Sequence, residues 1–428
     1  MSSQNKKSLQ SLKQLKPPQQ LERVVLASLL WEDQFYLDGE KHAELVQRLV
    51  QQVQPEKVAE LALRAREQYK LRHVPLLLTR ELARVGKLQA DTLAQVIQRA
   101  DEMAEFLSLY WRDGKCALSN QVKRGLATAF NKFNEYQFAK WDKNSAHIKL
   151  RDVMFLVHPK PVHPEQEELF KRIANRQLET PLTWETELSA GADKRATFTR
   201  LMLNNKLGAL AFIRNLRNMA QSGVENSLIL EYSRTVDVSR VLPFRFIAAA
   251  RQVPQFEQML EHMMFRALQG ENQHVLHGKT AMLVDVSGSM FGTPVSKRSD
   301  LDRFDAAAAL AVLCREVCEQ VDVYSFSDNL ELVPPRRGFS LVDALRHSQR
   351  HSGTRLDLAL HSLYKAGEYN RIIVFTDEQV QGSVPNPRGL GYIVNVAAYQ
   401  NGISNETWHT VNGFSEAVLQ YIQALENQ

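Results

Sequence analysis

The chain has 428 residues, of which 44% are hydrophobic and 24% are charged, a composition typical of a globular protein with two or three domains. Its apolar runs are far shorter than the ~18 to 20 residues that cross a bilayer, which excludes a transmembrane helix at the level of sequence. The net charge of +5 is unevenly distributed, because residues 1–280 hold 41 Lys and Arg against 31 Asp and Glu, whereas residues 281–428 hold 12 against 17. The basic first part predicts a polyanionic partner.

The first 20 residues are polar and basic and lack the apolar segment of a signal peptide. We expect residues 1–20 to be a flexible tail and the protein to be cytoplasmic. The three cysteines, Cys116, Cys314 and Cys318, are too few for a disulfide framework. Cys314 and Cys318 lie four residues apart in an apolar helical pattern, which favours buried thiols over a metal or redox pair.

Residues 21–277 show helical periodicity over most of their length. In "AELVQRLVQQV" the apolar residues Val46, Leu49, Val50 and Val53 recur at helical spacing, and "DTLAQVIQRADEMAEFL" has the same pattern. Prolines stand near several expected helix starts, as in "VHPEQ". No strict repeat is present, but the pattern indicates stacked helix pairs in a solenoid-like arrangement.

From about residue 278 the pattern changes to alternating strands and helices. Short runs rich in β-branched and aromatic residues, such as "TAMLVDV" and "RIIVFTD", alternate with helical stretches such as "RFDAAAALAVLCREVCEQ". This order predicts a doubly wound, Rossmann-like α/β domain with a mostly parallel sheet. In such a domain, ligands bind outside the carboxyl ends of the strands.

Five polar residues are predicted to meet at that edge of the sheet. Asp285, Ser287 and Ser289 follow the first strand at a spacing of two, so in an extended segment their side chains leave on the same side. Asp377 follows another strand, and Thr354 precedes a helix. Small oxygen ligands with few charges suit Mg²⁺ or Mn²⁺ better than zinc. The alternative is that Asp285 and the serines only cap the following turn and helix.

Enzyme motifs are missing from the same stretch. The segment "GSMFG" lacks the central serine of a hydrolase elbow, and "DVS" lacks the second aspartate of an Asp-x-Asp phosphotransferase. The phosphate-binding pattern G-x-x-x-x-G-K-[ST] does not occur in the sequence. We therefore predict no catalytic role.

The pattern Asp-x-Ser-x-Ser, then a threonine at a helix start, then a strand that ends in aspartate, resembles the metal-ion-dependent adhesion site of von Willebrand factor A domains. The resemblance implies that Ser287 and Ser289 bind a divalent cation directly, while Asp285, Thr354 and Asp377 bind it directly or through water. It also implies an open coordination position for the carboxylate of an acidic protein ligand.

The helical part carries a second resemblance. The segments "QVKRGLATAFNKF", "LRDVMFLVHPKP", "NNKLGALAFIRNLRNMA" and "VLPFRFIAAAR" resemble the TROVE module of the Ro ribonucleoprotein family in its bacterial form. The resemblance implies a TROVE-like domain over residues 21–277, built as a ring of HEAT-like repeats, and a von Willebrand factor A domain over residues 278–428. In that family the ring binds small noncoding Y RNA on its outside and single-stranded RNA ends in its central hole. The chain departs from the family at "HIKLRD", where a Trp-Ser-His-Lys-Asp-type run is common.

Basic and aromatic residues interleave in "QVKRGLATAFNKFNEYQFAKWDK", a pattern that can bind single strands through phosphate pairing and base stacking. The candidate RNA-binding residues are Lys123, Arg124, Lys132, Lys140, Lys143 and Arg214. The alternative is that the aromatic residues belong to the core and that arginines such as Arg214 brace helices.

Two functions follow from these patterns. The first is a Ro-like RNA-binding protein of the cytoplasm that acts in RNA metabolism or quality control, with an RNA-processing nuclease as a possible neighbour. The second is a metal-dependent protein-interaction module in which the helices are a scaffold and the A domain recruits an acidic partner. Neither function involves a membrane.

Overall fold

A computed structural model describes residues 16–27, 39–68, 71–142, 147–239, 241, 244–268, 275–294, 301–377, 383–396, 407–412 and 417–426. The described residues divide into two compact units on either side of residue 183, which we call the N-terminal unit and the C-terminal unit. The boundary expected at residue 277 follows the change in secondary structure, whereas the division at residue 183 follows packing. The domain limits drawn from the sequence therefore stay a prediction.

The N-terminal unit is helical over its described residues. Its helices are α1 (Pro17–Ala27), α2 (Gly39–Val50), α3 (Pro55–Glu67), α4 (His73–Arg84), α5 (Ala90–Val96), α6 (Asp101–Tyr110), α7 (Asn120–Phe130), α8 (Glu135–Trp141), α9 (Leu150–Val157) and α10 (Pro164–Asn175). The first helix includes the last four residues of the predicted flexible tail, and residues 1–15 of that tail lie outside the described residues.

Each of these helices turns an apolar stripe towards a shared core. In α3 the buried apolar residues are Val58, Leu61, Ala62 and Ala65, a spacing that places them on one helical face. The core is continuous from Leu21 to Ile173. The predicted helices are confirmed as amphipathic, and burial of their apolar faces supplies most of their stability. The stretch "DTLAQVIQRADEMAEFL", however, forms two helices, α5 and α6, because the backbone is extended at Ile97.

The C-terminal unit begins with six helices and continues with an α/β segment. The helices are α11 (Trp184–Ser189), α12 (Lys194–Leu203), α13 (Ala209–Gln221), α14 (Asn226–Thr235), α15 (Phe244–Gln252) and α16 (Glu257–Leu268). The α/β segment comprises β1 (Leu276–Asp285), α17 (Arg303–Val317), β2 (Cys318–Phe326), β3 (Leu330–Leu332), α18 (Gly338–Arg346), α19 (Leu356–Ala366), β4 (Arg371–Thr376), β5 (Leu390–Asn395), β6 (His409–Asn412) and α20 (Ala417–Glu426).

The six strands form one sheet in the order β3-β2-β1-β4-β5-β6. Neighbouring strands are parallel, except that β3 runs antiparallel to β2. The order reverses between β1 and β4, so the topological switch point lies at the carboxyl ends of these two strands. Every residue of β4 is buried, as expected for a parallel strand with helices on both sides of the sheet. The prediction of a doubly wound α/β fold is confirmed.

An ion cluster around the buried carboxylate of Asp305 connects the helices of the C-terminal unit to the α/β segment. Asp305 on α17 is 1% exposed, and its carboxylate accepts hydrogen bonds from both terminal guanidinium nitrogens of Arg251 on α15. A nitrogen of Arg346 on α18 donates to the same carboxylate at 3.0 Å. Helix α15, which lies before the sheet in sequence, is therefore joined to the α/β segment by ion pairs with Asp305.

A search of the described ranges for a membrane span finds no helix with the length and apolar character that crossing a bilayer requires.

Candidate metal centre and candidate nucleic-acid interface

The two carboxylates of the predicted cation site lie at the switch point. The register pairs Val284 on β1 with Phe375 on β4, so Asp285 and Thr376 follow side by side. Thr376 Oγ1 donates to Asp285 Oδ2 at 2.7 Å, and Asp377 comes directly after Thr376. Both carboxylates are fully buried. The parallel topology has brought residues from distant parts of the sequence to one edge.

The serines lie in a tight turn directly after β1. The backbone N–H of Ser287 donates to Asp285 Oδ1 at 2.9 Å, and the Oγ atoms of Ser287 and Ser289 are 3.2 Å apart. A short 3₁₀ turn over Gly288–Met290 places the two hydroxyls together. Asp285 therefore accepts from the backbone where this turn begins, but the turn has no side-chain cap at Ser287, and two hydroxyl oxygens converge beside the carboxylate.

Thr354 lies in the loop that precedes α19. This loop touches the serine turn, because the N–H of Gly288 donates to the carbonyl of Ser352 at 3.3 Å. Ser327, which follows β2, fixes the loop by donating to the carbonyl of Gly353 at 2.9 Å and accepting from the N–H of Ser352 at 3.0 Å. Thr354 is buried two residues beyond the contact with the turn, so it belongs to the same edge.

Electrostatics at this edge favour a cation. Burial raises the pKa of Asp285 to about 6, against the hydrogen bonds from Ser287 and Thr376, and the nearby Asp377 carboxylate raises it further. Buried carboxylates are stable only with a compensating charge or with strong hydrogen bonds. Carboxylate and hydroxyl oxygens are ligands for Mg²⁺ or Mn²⁺, so the residues present fit such an ion. Over the described ranges, no group of three or more His, Cys, Asp or Glu side chains offers a different kind of metal site.

Arg303 is a charged residue of this edge that the sequence patterns did not reveal. It occupies the first position of α17, and its Nη1 lies 2.6 Å from Asp377 Oδ2, with side-chain exposures of 7% and 0%. A basic residue in the first turn of a helix opposes the helix dipole. That unfavourable position is the signal in the sequence that could have marked Arg303 as held by an acidic partner.

Five of the six candidate RNA-binding residues are described by the structure and all five are exposed, but Lys132 also makes hydrogen bonds within the fold. Lys123 and Arg124 on α7, Lys140 on α8 and Arg214 on α13 are exposed, whereas Lys143 lies outside the described residues. Arg214 belongs to the C-terminal unit and the other three to the N-terminal unit. Their role in RNA binding stays a prediction.

Lys132 is engaged within the fold. Its Nζ donates to the carbonyl of Ala94 at 2.7 Å and to the carbonyl of Ile97 at 2.5 Å, at the C-terminal end of α5. Burial lowers the pKa of this amino group. A cation at this helix end satisfies carbonyls that lack helical partners and opposes their partial negative charge. While these bonds hold, two of the three N–H donors of the ammonium group are used within the fold, so Lys132 is less available to a phosphate than a lysine without such contacts.

We expect Lys132→Met to lower the free energy of unfolding by about 1–2 kcal/mol, because two hydrogen bonds from a charged donor are lost. RNA affinity of the folded variant should change by less than about twofold. Lys123→Met on the exposed face of α7 is the matched control, with melting temperature unchanged. Thermal denaturation and gel shifts on both variants measure the two effects. A large loss of RNA affinity in the folded Lys132→Met variant would show that Lys132 contacts RNA.

The aromatic residues of the basic region are mostly core, as the structural alternative supposes. Phe130, Phe133 and Phe138 are buried, and the rings of Phe130 and Phe138 stack at 5.5 Å. Tyr136 is 45% exposed. Trp141 is half-buried and has the guanidinium of Arg99 over its ring at 3.7 Å. Tyr136 is thus the most exposed aromatic residue of this group, and the ammonium of Lys140 lies 5.7 Å from its ring centroid.

Many arginines of the N-terminal unit already have acidic partners. Arg66 pairs with Glu102, Arg72 and Arg99 with Asp101, Arg80 with Glu81, Arg64 with Glu22 and Arg172 with Glu135. The charge surplus counted from the sequence therefore includes many guanidinium groups that hold helices together. Exposed lysines carry more of the charge that a polyanion can reach.

Three comparisons with known proteins bear on this architecture. Residues 170–290 match the TROVE domain family. Over 90 residues the chain is 34% identical to telomerase protein component 1 of Mus musculus and 33% identical to that of Rattus norvegicus, and each match covers 20% of this chain and 3% of the relative. The solved crystal structure of the Deinococcus radiodurans Ro (RSR) protein has a TM-score of 0.66 at 17% sequence identity, covering 90% of this chain and 93% of that chain.

The protein belongs to the class in which a helical region precedes a doubly wound α/β sheet, and hydroxyls and carboxylates lie at the switch point of that sheet. The likeness to the solved structure extends over both parts and shows a shared fold. Residues 170–290 thus match the TROVE domain family, within a chain that shares the fold of the solved Ro protein. The resemblance to the TROVE module is confirmed for residues 170–290. The chain spans only a small fraction of the telomerase components that it matches.

Proposed function

We propose that this protein is a cytoplasmic, non-catalytic RNA-binding protein. Its ligands are small noncoding RNA of the Y type and the single-stranded ends of structured or misfolded RNA, and it acts in RNA metabolism or quality control. The observation that carries the proposal is the TROVE match over residues 170–290 within a chain that has the fold of a Ro protein. The exposed basic residues Lys123, Arg124 and Lys140 support it, because lysine and arginine neutralise phosphates and release counterions.

The test is the salt dependence of RNA binding by the intact chain. About five phosphate contacts predict a slope of roughly −3.5 to −4.5 in a plot of log affinity against log salt concentration. We expect this slope, measured by filter binding, for structured small RNA and for RNA with a free single-stranded end. An unrelated protein of equal net charge is the control. Binding no tighter than that of the control would contradict an RNA-binding function.

We propose further that the α/β segment is a von Willebrand factor A domain that binds Mg²⁺ or Mn²⁺. Ser287, Ser289, Asp285, Thr354 and Asp377 would hold the cation. The hydroxyl pair at 3.2 Å, the buried carboxylates and the packed loop before α19 support the proposal. When bound, the cation would offer an open coordination position to a carboxylate of a protein partner, such as an acidic ligand or an RNA-processing nuclease.

The same edge favours a second candidate function, a metal-dependent protein-interaction module in which the helices serve as a scaffold without an RNA role. The buried carboxylates and the paired hydroxyls could bind a cation even if the helices bind no RNA. Nucleic acid that copurifies with the protein separates the two candidates. Absorbance at 260 nm that nuclease treatment removes supports RNA binding, and nucleic-acid-free protein that captures an acidic protein in the presence of Mg²⁺ supports the module.

A further inference from the structure

The ion pair between Arg303 and Asp377 lies inside the proposed cation site. Asp377 is one of the expected ligands, and its Oδ2 already accepts a hydrogen bond from Arg303 Nη1 at 2.6 Å. Both side chains are withdrawn from solvent. A guanidinium therefore compensates the charge of a carboxylate that the proposed function assigns to a metal ion.

Arg303 is held at this place by the same segment that forms the serine turn. Its backbone N–H donates to the carbonyl of Thr293 at 3.1 Å. Asp302, the residue before it, forms a β-bridge with Pro294 and accepts from the N–H of Gly292 at 3.3 Å. The start of α17 is thus tied to the segment that follows Ser289. A rearrangement of the serine turn on cation binding would be transmitted directly to Arg303.

The charges at this edge of the sheet disfavour binding of Arg303 and a divalent cation to Asp377 at the same time. Asp285 and Asp377 bring two carboxylates into a buried environment, and one guanidinium compensates one of them. A divalent cation on the same carboxylates would lie close to the guanidinium, and two like charges repel strongly where water is excluded. Arg303 and the cation are therefore alternatives for Asp377.

We propose that Arg303 is an internal counter-cation that competes with the divalent cation for Asp377. The inference rests on the proposed cation site and adds a residue that sets the affinity of that site. Without metal, Arg303 keeps Asp377 compensated and the edge folded. When the metal binds, it takes over Asp377, and Arg303 gives up this contact. The cost of displacing Arg303 makes binding weaker than the ligands alone would allow.

Substitution of Arg303 in the full chain tests the proposal, with Mn²⁺ alone as the probe. We expect Arg303→Gln to bind Mn²⁺ about tenfold more tightly than the native chain by calorimetry, because the competing charge is gone. Its melting temperature should be lower than native in the presence of a chelator, and Mn²⁺ should raise it by more than it raises that of the native chain. Arg303→Lys keeps the charge and should bind Mn²⁺ within about threefold of native. Arg315→Gln, which removes a positive charge from the far end of the same helix, should leave Mn²⁺ affinity unchanged.

The outcomes separate this proposal from the cation site on which it rests. If the native chain binds Mn²⁺ and Arg303→Gln binds it equally or more weakly, competition by Arg303 is wrong and the cation site stands. If neither binds Mn²⁺, the cation site itself is wrong. A crystal structure of the native chain with Mn²⁺ located by anomalous scattering provides a test that needs no variant to fold. We expect the contact between Arg303 Nη1 and Asp377 Oδ2 to open beyond hydrogen-bond distance, and retention of that contact beside bound Mn²⁺ would overturn the proposal.

Discussion

Charge reversal of Lys123, Arg124 and Lys140 to glutamate is expected to weaken RNA binding by at least about tenfold at physiological salt. The three side chains are exposed on α7 and α8, so each loses its attraction to phosphate and gains repulsion in its place. Melting temperature should stay within about 2 °C of native, since surface substitutions of this kind cost little stability. Gel shifts and thermal denaturation on the purified variant give both results.

A second triple variant separates a specific surface from net charge. Lys57, Lys87 and Lys115 are also exposed in the N-terminal unit, and their reversal to glutamate changes the net charge by the same amount. We expect this control to lose less than about threefold in affinity, as the lost attraction is then only long-range and screened. Equal losses in both variants would show that total charge matters rather than α7 and α8. Unchanged affinity in the first variant would direct the search to Arg214.

Asp285→Asn is expected to abolish measurable Mn²⁺ and Mg²⁺ binding while RNA affinity stays within about threefold of native. The substitution removes a buried negative charge but keeps an oxygen that can accept from Thr376 or Ser287. Hard divalent cations need anionic oxygen ligands, so the remaining hydroxyls and single carboxylate should not suffice. Calorimetry with metal, paired with RNA gel shifts, tests both halves. Loss of RNA binding in the folded variant would show that the cation site and the RNA surface are coupled.

The same variant makes a prediction about pH. Burial raises the pKa of Asp285 from its ordinary 3.8 to about 6, so the native state holds this proton more tightly than the unfolded chain does. The resulting stabilisation is fully present below about pH 3.8 and is lost as pH rises through about 6. In chelator at pH 7, Asp285→Asn should therefore be more stable than native by up to about 3 kcal/mol. The difference should shrink towards pH 4, and melting curves across that range measure it. An equal difference at pH 5 and pH 8 would contradict the assignment to Asp285.

The cation edge could be predicted because strand topology requires it. Residues that end parallel strands on either side of a switch point must meet, so Asp285 and Asp377 were foreseeable although about 90 residues of chain separate them. Ser287 and Ser289 could be placed beside Asp285 because residues spaced by two in an extended segment have side chains on the same side. Amphipathic periodicity predicted the helices in the same way, since burial follows the spacing of apolar residues.

Long-range pairing of single charges could not be predicted from the sequence. Lys132 lies in a stretch that resembles a nucleic-acid surface, and only the packing of α5 against α7 brings the carbonyls of Ala94 and Ile97 to its ammonium group. Arg303 meets Asp377 because α17 starts above the end of β4, which depends on the whole sheet. No pattern of neighbours in the sequence encodes the Lys132 contact, and the position of Arg303 in the first turn of α17 indicates an acidic partner without identifying Asp377.

The ion cluster around Asp305 joins residues that leave the ribosome at different times. The ribosome releases Arg251 on α15 before Asp305 on α17, and Arg346 on α18 follows last. The Asp305 carboxylate is buried, and both arginines contact it only when α15, α17 and α18 are together. An unpartnered carboxylate at that depth would be strongly unfavourable. Arg251 on α15 can therefore form its contacts with Asp305 only after translation has passed α17, and the complete cluster forms only after Arg346 has been made.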